Sequence, residues 1–217
     1  MLANNIANSG TAGFKADREF YSLFDDQLPV IQSNWTDFSQ GTLVPTGNPL
    51  DLGLSGAGFF ALNSPAGVVY ARTGQFKVSS KGQLQTADGY TLRNLRDMGR
   101  AITVDPTLEI TIAKDGVVEQ GGQPVAQIEI AGQSTGAGAL EKLGNSYFRV
   151  APWGVAPPKA DAATQVMQGT LEQSNVPAAD AAVRLVSVMR QFEMLQQALG
   201  VGVDMDKQAI SEVARVS

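Results

Sequence analysis

The fold class written into this sequence is α+β, mainly β: a central antiparallel β domain with helical segments at both ends that form a coiled-coil-like assembly core. Three observations carry it. Between residues 51 and 165, short runs such as "GFFALN", "GVVYAR", "EITIA" and "SYFRV" alternate with turn signals roughly every ten residues, the pattern of a small antiparallel sandwich or barrel. The 23 Gly and 10 Pro bias the chain towards turns. Beyond residue 177 the apolar period changes from two to a 3-4 spacing, which is helical. The chain divides into zones at 1–28, 29–50, 51–165 and 166–217.

The first zone opens with "LANNIANSGTAGFKA". Leu2, Ala3, Ile6 and Ala7 suit a helix, whereas Asn competes for nearby backbone groups and lowers helix stability. Asn4, Asn5 and Asn8 before Ser9-Gly10 therefore read as the last turns of a helix, with Gly10 as a left-handed C-cap. So short a helix is marginal alone and needs something to pack on. "FKADREFYSLFDDQ" is helical or irregular, and "PVIQSNWTDFSQGTLVPTGNPL" is an extended connector without sustained period.

In the β zone, Lys114-Asp115-Gly116-Val117 and Ala87-Asp88-Gly89-Tyr90 each predict a hairpin with a two-residue loop, and "STGAGA" at 134–139 a flexible loop. In the last zone, Asn175-Val176-Pro177 predicts a helix entrance, with Asp180 complementing the positive end of the dipole. Positions 182, 185, 189, 192, 196, 199, 203, 206, 210 and 213 then follow the 3-4 spacing, and all but Gln196 and Asp206 are apolar. This seam spans more than four heptads on a helix about 55 Å long, too long for the β domain to cover. It needs another helix. Gly200 and Gly202 interrupt it, each costing about 1 kcal/mol relative to Ala.

Composition removes many functions. With neither Cys nor His, thiol nucleophiles, Cys/His zinc sites and histidine bases are excluded. A net charge of −5 argues against binding nucleic-acid phosphates. No pattern of a cleavable signal peptide and no membrane-length apolar run occurs within the sequence. Gly53, Gly56 and Gly58 lack the Lys-Ser/Thr of a phosphate loop and read as turn chemistry. Asp204 and Asp206 lack the Gly and Glu of a calcium loop, and with Asp25-Asp26 they read as solvated surface. Asn34-Trp35-Thr36 is a glycosylation sequon by pattern only, and no pair among the 21 acids stands out for glycoside hydrolysis. No catalytic residue, cofactor or metal is expected.

Three segments carry a family resemblance. "ANNIANSGTAGFKA", then "GNPLDLGLSGAGFFAL" with "YARTGQFKVSSKGQLQTADGYTL", then "QGTLEQSNV" before a long amphipathic helix resemble, in the same order, the signatures of bacterial flagellar rod and hook proteins. The length and single β domain are similar to the larger rod proteins, and "ITIAKDGVVEQGGQPVAQIEIA" and "MRQFEMLQQAL" to the proximal-rod type more than the distal-rod type. The resemblance implies a non-enzymatic subunit of the basal-body rod in the periplasm, whose terminal helices assemble into a hollow axial tube. The implied partners are copies of itself, other rod proteins and the flagellar type III export apparatus. Members carry further helical residues ahead of the Asn-rich motif, so the N-terminal helix is expected to be cut short at Met1. Read together with the seam, the resemblance implies an assembly interface of Asn4, Asn5, Ile6, Asn8, Leu185, Met189, Phe192, Leu199, Val203 and Ile210, the Asn amides fixing register. The rival reading is a secreted wall-glycan-binding module with a helical oligomerisation tail. It requires an exposed aromatic strip, yet Phe59, Phe60, Tyr70, Phe76, Tyr147 and Phe148 sit in strand-like alternations expected in a core.

Overall fold

A computed structural model describes residues 1–24, 28–132, 140–144, 146–152, 157, 160–161 and 163–216; for 19–24, 28–34, 203–204 and 206–216 the description is of the backbone. The expected loop at 134–139 and Asp25-Asp26 lie outside the described residues, as do the side chains of Asn34, Val203, Asp204, Asp206 and Ile210. The chain forms two compact units, Asn8–Val176 and a helical unit made of Met1–Ala7 with Pro177–Ser217.

In the larger unit, Asp17–Phe24 (β1) and Leu28–Thr36 (β2) pair antiparallel, with a bulge between Phe20 and Tyr21. The first zone thus holds a strand where a helical or irregular segment was expected, and the supposed connector holds its partner. Its apolar residues Phe20, Tyr21, Leu23 and Phe24 follow three charges, Asp17, Arg18 and Glu19, and show no period-2 alternation, which is why the strand was not legible. Leu43–Pro45 (β3) and Leu52–Ser55 (β4) follow. Phe59–Ser64 (β5), Gly67–Ala71 (β6), Lys77–Val78 (β7), Leu84–Gln85 (β8) and Thr91–Leu92 (β9) belong to one sheet. Ile110–Ile112 (β10), Val117–Gln120 (β11) and Gln123–Gln127 (β12) form a three-stranded meander. Ile130–Ala131 (β13), Leu140–Gly144 (β14) and Tyr147–Val150 (β15) join the large sheet, whose order runs β14-β15-β6-β5-β9-β8-β7 with β13 alongside β5. Gln165–Gln168 (β16) returns to β4, and Thr170–Glu172 (β17) to β3. The last zone therefore begins with two strands before its helix, and these strands close the unit.

Strand β5 explains the core. "FFALN" is a continuous apolar run, which fits a strand covered on both faces. Phe60 and Leu62 point into the main cluster with Leu52, Leu54, Ile102 and Val118, while Phe59 and Ala61 point the other way into a second cluster with Tyr70 and Phe148. Phe38 seals that second cluster, its ring centroid 5.4 Å from Phe59 and 5.3 Å from Phe148. All six aromatics named above are buried, so those six form no exposed strip of the kind a wall-binding module would need. "AITV" at 101–104 is held by single bridges, Arg93 to Ala101 and Gln83 to Thr103, instead of forming a strand. Both Asp-Gly hairpins have three-residue loops, not two: Ala113 N donates to Val117 O and Thr86 N to Tyr90 O, leaving 114–116 and 87–89 as loops. Only the glycine of each pair is left-handed (Gly116 φ 80°, Gly89 φ 85°), as in a type I turn followed by an αL residue.

In the helical unit, α1 is Leu2–Ala7 and α2 is Ala178–Val216, 39 residues long. Helix α2 starts immediately after Pro177, with Asp180 in its first turn, and runs unbroken through Gly200 and Gly202. Six residues form no stable helix in water, so α1 exists by packing on α2. The expected left-handed cap at Gly10 is not found: Gly10 has no positive φ, and the nearest left-handed glycine, Gly13 (φ 69°), lies six residues beyond the end of α1. Asn8 belongs to the larger unit, where its backbone and side-chain oxygens accept hydrogen bonds from Thr11.

Candidate assembly surface and a buried clamp

The residues expected at the assembly interface separate by location. In α1, Asn5 is buried, Ile6 half-buried and Asn4 exposed; Asn8 is half-buried in the turn described above. On α2, Leu185 is half-buried, whereas Met189, Phe192 (61% exposed) and Leu199 (71% exposed) lie open. The exposed apolar residues are not confined to one seam. Val183, Met194, Val201 and Met205 are also exposed, and at 3.6 residues per turn they project about 160° from the seam. A helix that is apolar on opposite faces is built to be surrounded.

Sequence reasoning missed the other notable site. At the end of β17 the Glu172 side chain is fully buried and receives donors from three distant segments. Its Oε1 accepts from Lys15 Nζ at 2.6 Å and from Gly41 N at 2.8 Å, and its Oε2 accepts from Arg72 Nε. Two buried cations thus share one carboxylate. The surplus positive charge is spread over main-chain carbonyls: Lys15 Nζ also donates to Ser39 O, and the Arg72 guanidinium to Leu54 O, Gly56 O and Gly58 O. Burial pulls the Lys15 ammonium below the usual lysine range, opposed by its bond to Glu172.

Around this triad the two ends of the larger unit are stitched together. Gly13 N donates to Glu172 O at 2.7 Å. Asn175 Oδ1 accepts from Ala16 N at 2.7 Å, and its Nδ2 donates to Asp37 O and Ser39 O. Burial would raise the Asp37 carboxyl, but bonds from Ser39 and Arg18 hold it below the usual range. Lys142 Nζ reaches from β14 to Lys15 O and Asp17, lying 3.9 Å from the Phe14 ring centre. The approach needs bare backbone at two points. A Cβ on Gly13 would fall 2.3 Å from Thr73 N, and one on Gly41 2.0 Å from Gln173 O.

Lys15, Arg72 and Glu172 each come from a different one of the three segments that carried the family resemblance: "GFKA", "YART" and "TLEQSN". A lone charge inside each of these short stretches was the available signal. Its meaning depended on knowing that segments 157 residues apart meet. In the clamp two cations share one carboxylate and each makes further bonds to main-chain carbonyls, the arrangement of a structural device. Among the described residues, no group of three or more His, Cys, Asp or Glu is placed to hold a metal, and no helix is long and apolar enough to cross a membrane.

A β unit whose two ends are fastened together, and a separate 39-residue helix with exposed apolar side chains, define a structural protein. The flagellar hook protein FlgE/F/G D1 domain matches residues 53–120, and the flagellar basal body rod FlgEFG protein C-terminal region matches 167–212. The flagellar basal-body rod protein FlgF of Caulobacter vibrioides is 30% identical, with 100% of this chain and 92% of that protein covered. FlgG of the same organism is 32% identical, over 89% of this chain and 85% of FlgG, and FlgF of Rhizobium meliloti is 31% identical, over 88% and 81%. The chain belongs to the flagellar basal-body rod protein family.

Proposed function

We propose that this chain is a non-enzymatic structural subunit of the proximal part of the flagellar rod, assembling in the periplasm through α1 and α2 into a hollow axial tube. The observation that carries the reading is α2: 39 residues with large apolar side chains open on opposite faces. Such a helix finds stable surroundings only among other helices. Copies that repeat one contact without closing it give a tube. The partners are further copies, other rod proteins and the type III export apparatus that delivers them. The proximal type is favoured by the likeness of "ITIAKDGVVEQGGQPVAQIEIA" and "MRQFEMLQQAL" to that type.

Deleting the gene tests this directly. Swimming is lost and restored by a plasmid copy, while cell-wall turnover is unchanged. A deletion strain that swims with a normal basal body would overturn the reading.

A further inference from the structure

Two exposed tips of the larger unit stand out because each presents an apolar side chain on a rigid loop between charges of one predominant sign. The first follows β9. Met98 is 98% exposed and adopts a left-handed backbone (φ 46°), a conformation that side chains other than Gly, Asn and Asp rarely take. The loop that holds it is bonded throughout. Asn94 Oδ1 accepts from Arg96 N and Gln127 N; Asn94 O accepts from Gly99 N; Arg100 O accepts from Asn94 N; and Gly99 O accepts from Asn63 Nδ2. Arg96 and Arg100 flank Met98, with Asp97 3.8 Å from Arg100. Nothing within the unit requires a large apolar side chain here, because Met98 touches almost none of it.

The second tip lies at 105–109, where five consecutive residues are exposed. Leu108 projects between Asp105 and Glu109. This loop is also fixed: Asp105 Oδ1 accepts from Thr107 N and Oγ1, Asp105 N and O both bond the Gln120 amide, and Leu108 N donates to Asp105 O.

We propose that the Met98 tip of one copy docks on the Leu108 tip of a second copy, with Arg96 and Arg100 facing Asp105 and Glu109. The tips match in charge and in apolar centre, and like tips repel, so the contact runs head to tail between β units. Because the two surfaces differ, the contact repeats from copy to copy, as a rod requires. The proposal rests on the rod reading and adds the surface that joins the outer units.

The cysteine-free sequence makes the test clean. Full-length Met98→Cys/Leu108→Cys, Met98→Cys and Leu108→Cys are expressed in the deletion strain, and assembled basal bodies are treated with a short bis-maleimide. The double variant is expected to give a ladder of multimers of this chain, and each single variant none. A dimer from either single variant, or an adduct to a different protein, overturns the contact as stated. Swimming cells without adducts from the double variant overturn the tip contact while leaving the rod reading intact; a deletion strain that swims overturns the rod reading itself. If the double variant does not assemble, charge reversal decides. Arg100→Glu and Glu109→Lys should each reduce swarm diameter at least twofold and restore it when combined, and undiminished swarming by both single variants overturns the proposal.

Discussion

Single residues in this chain do work out of proportion to their number, and Glu172 is the clearest case. It is the shared counter-charge of two buried cations, and removing one partner of a buried ion pair costs about 3–5 kcal/mol because the remaining charge stays desolvated. Glu172→Gln is therefore expected to lower the melting temperature of the larger unit by about 6–20 °C, given about 2–4 °C per kcal/mol at this size. Lys15→Met combined with Glu172→Gln should recover part of that loss, since one orphaned charge has gone; calorimetry of the two variants measures the difference. Tyr147 sets a second expectation. Its hydroxyl donates to Asp88 Oδ2 at 2.7 Å, and burial, with Asp88 adding to it, pushes the phenol far above its ordinary value of 10.0. A raised folded-state pKa contributes stability that is whole below pH 10 and lost as pH climbs towards the folded value. Tyr147→Phe should cost about 1 kcal/mol at neutral pH and flatten the alkaline decline. Denaturation curves between pH 7 and 12 test this, and Tyr70, raised in the same direction by burial, leaves a residual slope.

Among the elements, α2 exposes the most large apolar side chains. Phe192 lies open, mid-helix, with Met189 one turn before it and Leu199 a heptad after it. Phe192→Asp is expected to leave the melt of the larger unit unchanged, because that unit's core lies between Phe14 and Val176. Incorporation into the rod and swimming should be lost, because an unpaired charge would enter an apolar contact. A drop of many degrees in the unit's melt would contradict the assembly role of the seam. Strands β16 and β17 show the opposite case: seven residues without a long pattern of their own close the β unit by pairing with β4 and β3.

For the whole molecule, the division at Asn8 and Val176 implies an order of opening. Trypsin should cut first at the exposed Arg184 and Arg190, since segments with few buried contacts open locally at little cost. The larger unit should outlast them with Lys15 and Arg72 uncut, and Glu172→Gln should expose both sites; mass spectrometry of timed digests reads the sequence of cuts. Much of this architecture was legible beforehand. The helix beginning after Pro177 follows from the change of period and the Pro signal, and the aromatic core from the short strand-like runs holding Phe59, Phe60, Tyr147 and Phe148, because both are local patterns. The hairpin positions were legible too, though not their loop lengths, since Asp-Gly suits both two-residue and three-residue loops. Strand β1 stayed hidden because its charged start and apolar end show no alternation and its partner β2 sat in a stretch rich in turn residues. The clamp was hidden for a different reason. Lys15, Gly41, Arg72, Glu172 and Asn175 are individually ordinary in sequence, and only the closing of β16 and β17 brings them together. Local periodicity and turn chemistry determined the elements; the long-range meeting of the two ends of the larger unit, whose buried charges have meaning only in one another's company, was decided by the tertiary structure.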